Sequence, residues 1–356
     1  MMEASEQREE ASASPAEAEQ NRRKAQVMEL LNRHPFAPPF WLRNAHVQTV
    51  GARYVRRLPT PSAELERLHT PDNDFLRIHT IEGDPDKPVA LILHGLEGSL
   101  ESTYVLGLVR EIRKPGWTVV VMEHRSCGGE MNRAKRLYHS GETSDLAFVV
   151  NTLIRRRPDA RIYVTGFSLG GNQCAKWLGE EGDAIPEAVR AAAVISAPFD
   201  LVESGKYMDT GIRLLYVRHF LRMLIPKAIE KEQQYPGCVN IDAVTMSRTF
   251  REFDTHGTAA LHGFRDSHDY YSKVGCGQFL HGIRRPTLLL SAADDPFNPE
   301  STLPKEAADA SPYLHPQFPD YGGHVGFIQG GPPRRLRYWA EEQVARFFQA
   351  YDDFER

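Results

Sequence analysis

Cysteine is scarce in this chain. The 356 residues hold four, Cys127, Cys174, Cys238 and Cys276, with no paired C-x-x-C spacing. That pattern excludes both a disulfide framework and a zinc module, and it leaves free, buried thiols as the expectation. Long hydrophobic runs are missing too, since no apolar stretch approaches the roughly 20 residues that span a bilayer. A strong net charge is absent: 43 bases against 47 acids give −4. Nucleic acid is therefore not expected as a partner. The first 24 residues are rich in Glu, Ala and Ser and have no apolar core segment. No secretory signal is expected there, and a cytoplasmic setting is. No internal repeat is present, which argues against a solenoid.

What is present is ordinary for a globular protein, 41% hydrophobic and 25% charged residues, but its arrangement is informative. Residues 1–24 are expected to form a disordered tail or a frayed helix. Residues 25–60 carry apolar anchors such as Pro35-Phe36-Ala37-Pro38-Pro39-Phe40-Trp41-Leu42 with little periodicity. They are expected to wrap over the surface of a domain spanning 61–356. Within it, Leu65–Leu68 and Phe75–Ile81 alternate apolar and polar residues and predict an edge hairpin. Short continuous apolar runs follow at Val89–Leu93, Trp117–Met122, Ile162–Val164, Ala191–Ile195 and Thr287–Leu290. Such runs suit strands buried on both faces of a parallel sheet. Helical patterns at Tyr104–Lys114, Glu142–Arg156, Leu169–Glu180 and Arg334–Tyr351 alternate with them, predicting a doubly wound, mostly parallel α/β fold. About ninety residues separate Ile195 from Thr287, too many for a simple crossover. They include an amphipathic stretch, Ile212–Ile225, expected to break at Pro226. A helical cap insertion over about 200–280 is expected above the carboxyl ends of the strands.

The chemistry starts at Gly166-Phe167-Ser168-Leu169-Gly170, which lies between a predicted strand and a predicted helix. Strand, G-x-S-x-G, helix is the context of a nucleophile elbow in the α/β-hydrolase fold. The sharp turn lifts the Ser168 hydroxyl off the sheet and sets the Leu169 amide at a helix N-terminus, where it can hold a developing oxyanion. A nucleophilic serine needs a base, and the base an orienting acid, in the chain order Ser, Asp or Glu, His. Asp294 and Asp295 both follow the strand Thr287–Leu290. Asp295, in the rigid turn Asp-Pro-Phe-Asn-Pro, is the expected acid, and Asp294 a turn residue. His324 sits in Tyr321-Gly322-Gly323-His324-Val325-Gly326-Phe327 after the last predicted strand and is the expected base. His281 and His315 compete by order alone but lie in no such loop. The loop His94-Gly95-Leu96-Glu97-Gly98-Ser99 follows the third strand. Its Leu96 backbone N–H is the expected second oxyanion donor, with His94 shaping the loop. The set implies acyl transfer to Ser168 and hydrolysis by water, with no metal and no organic cofactor.

Trp41-Leu42-Arg43-Asn44-Ala45-His46-Val47-Gln48-Thr49 resembles the W-x-R-x-x-H-x-Q-T segment of YheT-type α/β-hydrolases, bacterial relatives of the abhydrolase-domain lipases and esterases. Arg125-Ser126-Cys127-Gly128-Gly129-Glu130, Tyr138-His139-Ser140-Gly141, Pro198-Phe199-Asp200 and Arg251-Glu252-Phe253-Asp254 extend the likeness from about Pro35 to Phe348. One departure is Ser126, where relatives have Gly. The resemblance places the family's serine, aspartate and histidine on Ser168, Asp295 and His324. It implies a serine esterase acting on short-chain or lipid-like acyl esters. Peripheral contact with a membrane stays open, as does oligomeric state. An acyltransferase would use the same residues, and a non-catalytic scaffold would have no need to keep all three. Arg43, His46 and Gln48 are expected to satisfy backbone groups. Asp145 is expected to serve the N-terminus of its helix. Arg213, Arg218, Arg222 and Lys227 are expected on a solvated face of the cap.

Overall fold

A run such as Val-Ala-Leu-Ile-Leu has no polar side and must be covered twice, and the fold meets that demand with helices on both faces of one sheet. The structure, a computed structural model, describes residues 15–56, 58–331 and 336–355. The strands are β1 (Glu64–His69), β2 (Phe75–Ile81), β3 (Val89–Leu93), β4 (Thr118–Glu123), β5 (Ile162–Phe167), β6 (Val189–Ile195), β7 (Thr287–Leu290) and β8 (Leu314–Gln317). Among the described residues they form an eight-stranded sheet in the order β1-β2-β4-β3-β5-β6-β7-β8. β1 pairs antiparallel with β2, and β2 with β4; the rest is parallel. The edge hairpin and the mostly parallel α/β sheet are thus as expected.

Side chains of β3 divide between the two layers. Val89, Leu91 and Leu93 join one core with Val149 and Leu153 of α3 (Ser144–Arg156) and Trp177 and Leu178 of α4 (Leu169–Glu181). Ala90 and Ile92 join the other, with Leu108 and Ile112 of α2 (Thr103–Arg113) and Phe347 and Phe348 of α8 (Trp339–Phe354). Val27 and Leu31 of α1 (Pro15–Asn32) also pack in that second layer. Residues 15–24, expected as a disordered tail or a frayed helix, begin a helix, while 1–14 lie outside the described residues.

Between β6 and β7 the chain is helical: α5 (Leu201–Met208), α6 (Leu214–Gln234) and α7 (Ser267–Val274) are joined by shorter turns. Met208, Val217, Leu221, Ala228, Val244 and Phe253 give this insertion its own small core. Two expectations need correction here. α6 does not break at Pro226 but runs through it. A mid-helix proline costs about 3 kcal/mol in an isolated helix, and the apolar contacts of Val217, Leu221 and Ala228 on either side of it hold the helix together. The C-terminal helix starts at Trp339, not Arg334, because Leu336–Tyr338 is a strand paired antiparallel with Ile328–Gly330. Asp145 lies in the first turn of α3 as expected, and its carboxylate is also held bidentate by Arg125, at 2.7 Å to Nε and 2.7 Å to Nη2.

Arg125 is fully buried and also reaches Asp74 at 2.5 Å. Burial pushes the Asp74 carboxyl up, but hydrogen bonds from the Asn132 side chain and the amides of Arg133, Ala134 and Phe75 outweigh it and bring it down to about 2. Because that value lies below the unfolded one, Asp74 adds stability above about pH 4, and the contribution is lost as pH falls through 2. Removing Arg125 leaves the buried Asp74 without its cation and Asp145 with only Arg136, 3.1 Å away. Arg125→Leu is expected to cost about 3–5 kcal/mol by urea unfolding, whereas Arg156→Leu, which breaks an exposed pair with Glu66, should cost less than about 1 kcal/mol.

Candidate active site

Parallel pairing brings the carboxyl ends of β3, β5, β6, β7 and β8 to one edge, and Leu96, Ser168, Leu169, Asp295 and His324 lie in the loops beyond it. Ser168 follows β5 with φ 52 and ψ −117. The turn is possible because glycine flanks it: a Cβ on Gly166 would lie 2.1 Å from the Gly170 carbonyl oxygen, and one on Gly170 2.6 Å from that of His94. The Ser168 amide donates to Ile195 O at 2.8 Å, and its carbonyl accepts from the Asn172 amide at 3.0 Å.

His324 Nε2 stands 2.9 Å from Ser168 Oγ. Its Nδ1 lies 2.9 Å from Asp295 Oδ2 and 3.1 Å from Oδ1. A carboxylate only accepts, so Nδ1 carries the ring proton and Nε2 is free to accept from the serine hydroxyl. Asp295 is 1% exposed and takes further bonds from the Phe297 amide at 2.8 Å and Asn298 Nδ2 at 3.2 Å. Phe297 stacks on the His324 ring, 4.0 Å between centroids at 11°. Asp294 turns away and accepts from the Gly323 amide at 2.9 Å, bracing the histidine loop. The rival His315 is buried on β8, where its Nε2 meets the Tyr351 hydroxyl at 2.8 Å.

The loop after β3 passes beside the elbow, with the Gly95 backbone against Ser168 Cβ. His94 Nε2 accepts from the His124 amide at 3.2 Å, so its Nδ1 carries the proton and donates to Gly95 O at 2.7 Å. Burial pushes the His94 imidazole well below its ordinary range, which keeps it neutral. The Leu96 amide has no acceptor among the described residues, and the Leu169 amide, in the first turn of α4, has no intrahelical one. Both line one cavity with Ser168 and His324, about 680 Å³ in volume and roofed by Phe220, Met223 and Leu224 of α6.

Several contributors were not read from the sequence. The Thr49 hydroxyl accepts from the His324 amide at 2.9 Å, so the segment over 25–60 sets the height of the histidine loop. Gln48, in the same segment, donates to Leu42 O and Ile328 O, the structural role expected of it; His46 instead meets the Tyr216 hydroxyl at 2.8 Å. Lys227 is not solvated as expected. It turns inward and pairs with Glu97 at 2.7 Å, tying the cap to the Leu96 loop. Tyr138 holds the same Glu97 through its amide and carboxylate. Cys127 lies nearby, but burial pushes its thiol up to about 12, so it is inert. Among the described residues no cluster of His, Cys, Asp and Glu fits a metal ion, and no helix is long and apolar enough to cross a membrane.

Residues 88–331 match a family model described as alpha/beta hydrolase fold. Putative esterase YheT of Escherichia coli (strain K12) is 38% identical over 321 residues, 89% of this chain and 93% of that protein. The resemblance read from the sequence is thereby borne out. Monoacylglycerol lipase of Saccharomyces cerevisiae is 30% identical over 281 residues, and Phospholipase ABHD3 of Mus musculus 29% over 253; the matches cover 77% and 71% of this chain and 61% of each relative. A solved esterase of Pyrococcus furiosus, Pf2001, superposes with a TM-score of 0.54 at 18% identity, covering 82% of this chain and 91% of that one, which shows a shared fold.

The two adjacent aspartates make separable predictions. Burial, followed by the charge of Asp295, pushes the Asp294 carboxyl up to about 6 against the Gly323 hydrogen bond. A raised native value means that the ionised form costs stability above pH 6 and the cost vanishes below about pH 4. Asp294→Asn keeps an acceptor for Gly323 and sheds the charge. Thermal unfolding should show it more stable than wild type at pH 8, with the gap closing as pH falls from 6 to 4.

Proposed function

From the premise that this chain belongs to the alpha/beta-hydrolase family, we propose that it is a serine esterase whose nucleophile is Ser168, base His324 and orienting acid Asp295. The observation that carries the reading is the continuous line of contacts from Asp295 through His324 to Ser168 Oγ on the wall of an apolar cavity. His324 Nε2 takes the hydroxyl proton as Ser168 Oγ bonds to the ester carbonyl carbon. The negative charge on the carbonyl oxygen falls to the Leu96 and Leu169 amides, whose N–H groups are already unpaired and need no rearrangement. His324 returns the proton to the leaving alcohol. Water, deprotonated by the same nitrogen, then attacks the acyl-enzyme and releases the acid, and the proton goes back to Ser168.

The cavity supports acyl esters with apolar chains. Its walls at Phe220, Met223, Leu224 and Phe253 are hydrocarbon and aromatic, and a peptide backbone would be stranded among them without hydrogen-bond partners. The names of the relatives, esterase, monoacylglycerol lipase and phospholipase, favour the same substrate class. Four buried, unbridged cysteines support the reducing cytoplasm as its setting.

A fluorophosphonate probe should label wild type on Ser168 and fail on Ser168→Ala. Asp295→Asn should lower nitrophenyl butyrate turnover by about 10³- to 10⁴-fold, and Asp294→Asn by far less. A reversal between the two would move the acid by one residue. The cap gives a further contrast: Met223 lines the cavity, whereas Leu215 is 60% exposed. Across a series of nitrophenyl ester chain lengths, Met223→Lys should suppress turnover of the longer chains, while Leu215→Lys keeps the wild-type profile.

A further inference from the structure

The motif Arg251-Glu252-Phe253-Asp254 takes no part in the chemistry at Ser168, yet three of its residues have plain structural duties. Glu252 closes a capping box with Thr249. Arg251 Nε pairs with Asp209 Oδ2 at 2.7 Å, and Asp209 Oδ1 accepts from the Phe250 amide at 2.9 Å. Phe253 packs in the cap core. Asp254 is different. It opens a π-helical turn, Asp254–Thr258, a geometry that recurs at functional sites, and it lines the same cavity as Ser168.

Its carboxylate accepts from Thr258 Oγ1 at 2.6 Å and from the Tyr271 hydroxyl at 2.5 Å. Both donors are neutral, and among the described residues no cation pairs with it; the nearby Arg251 is committed to Asp209. An ionised carboxylate has about four acceptor positions, so two remain after these bonds. Phe250, Phe253, Tyr270 and Tyr271 line the cavity around it. Holding a partly buried carboxylate among such groups without a counter-charge is costly. A cation entering the cavity would offset that cost, and aromatic faces favour an ammonium group over a neutral one of the same shape.

The cluster is linked to the nucleophile through the protein. Tyr270 Oη accepts from the Ser140 amide at 2.8 Å, and Ser140 O accepts from Asn172 Nδ2 at 2.9 Å, one turn along α4 from Ser168. We propose that Asp254 forms a cation subsite in the ester cavity, and that the preferred substrate is an ester carrying an ammonium group. This deepens the esterase reading and rests on it.

The test compares choline butyrate with 3,3-dimethylbutyl butyrate, which replaces the quaternary nitrogen by carbon and keeps the shape. The same pair with a longer spacer allows for the separation between subsite and nucleophile. Wild type should favour the charged ester of one of the pairs by at least about tenfold in kcat/KM, and Asp254→Asn should reduce that ratio to about twofold or less. The ratio is taken within each protein, so a general loss of activity cancels. Calorimetry with choline and with 3,3-dimethylbutanol reads the subsite without turnover: choline should bind wild type measurably more tightly. Failure to hydrolyse any ester while choline still binds would count against the role of Ser168 and not against the subsite. Equal turnover of both esters in both pairs, or equal binding of both alcohols, would overturn the subsite, as would an Asp254→Asn protein that kept the full preference.

Discussion

Ser168 sits in a backbone conformation that L-residues avoid, at a cost of order 1–3 kcal/mol, and the surrounding fold has to hold it there. The restraint comes from the sheet. β5 is clamped between β3 and β6 by parallel pairing, the Ser168 amide is tied to Ile195, and α4 begins at once on the far side. With strand and helix both fixed by buried side chains, the one residue between them cannot relax. Three other strained positions, Glu97 at φ 54, Val325 at φ 52 and Phe327 at φ 46, fall in the loops that carry Leu96 and His324. Strain therefore collects where three loops converge, and the two-layer core that surrounds them absorbs it.

The parts of this design that rest on continuous patterns could be read from the chain. Runs such as Val89–Leu93 can only be interior strands, and the elbow announces itself because glycines are demanded at fixed offsets from Ser168. Asp295 and His324 could be singled out because each follows a recognisable strand. What stayed hidden depends on direction rather than on pattern. Lys227 and Asp145 occupy helix positions whose surroundings come from distant loops, Glu97 in one case and Arg125 in the other. No helical period reveals which way such a side chain points. Leu336–Tyr338 is a three-residue strand, too short to carry a period at all. Pro226 misled because local helix preference is weaker than the packing on either side of it.

Thr49 illustrates a different kind of blindness. Its neighbourhood was legible as a motif, but the motif carried no chemistry of its own. Its work is to present one hydroxyl oxygen to the His324 amide and, through Gln48, to hold the backbone at Ile328. A segment outside the sheet thus acts as a gauge block for a loop that follows the last strand of the main sheet.

That arrangement has a consequence for how the protein comes into being. Arg56, at the close of the same segment, is buried against Glu341 of α8, 285 residues later. Trp339 and Gln343 likewise donate to His34 and Leu31. A ribosome adding 5–20 residues each second needs roughly 15 to 60 s to cover such an interval. Throughout it, residues 27–56 have emerged without the surfaces they will meet, and Thr49 has no histidine loop to register. The sheet can assemble strand by strand during that time, but the contacts among Ser168, His324 and Thr49 cannot be completed early. The contacts that fix the His324 loop close only when sequence-distant ends lock together.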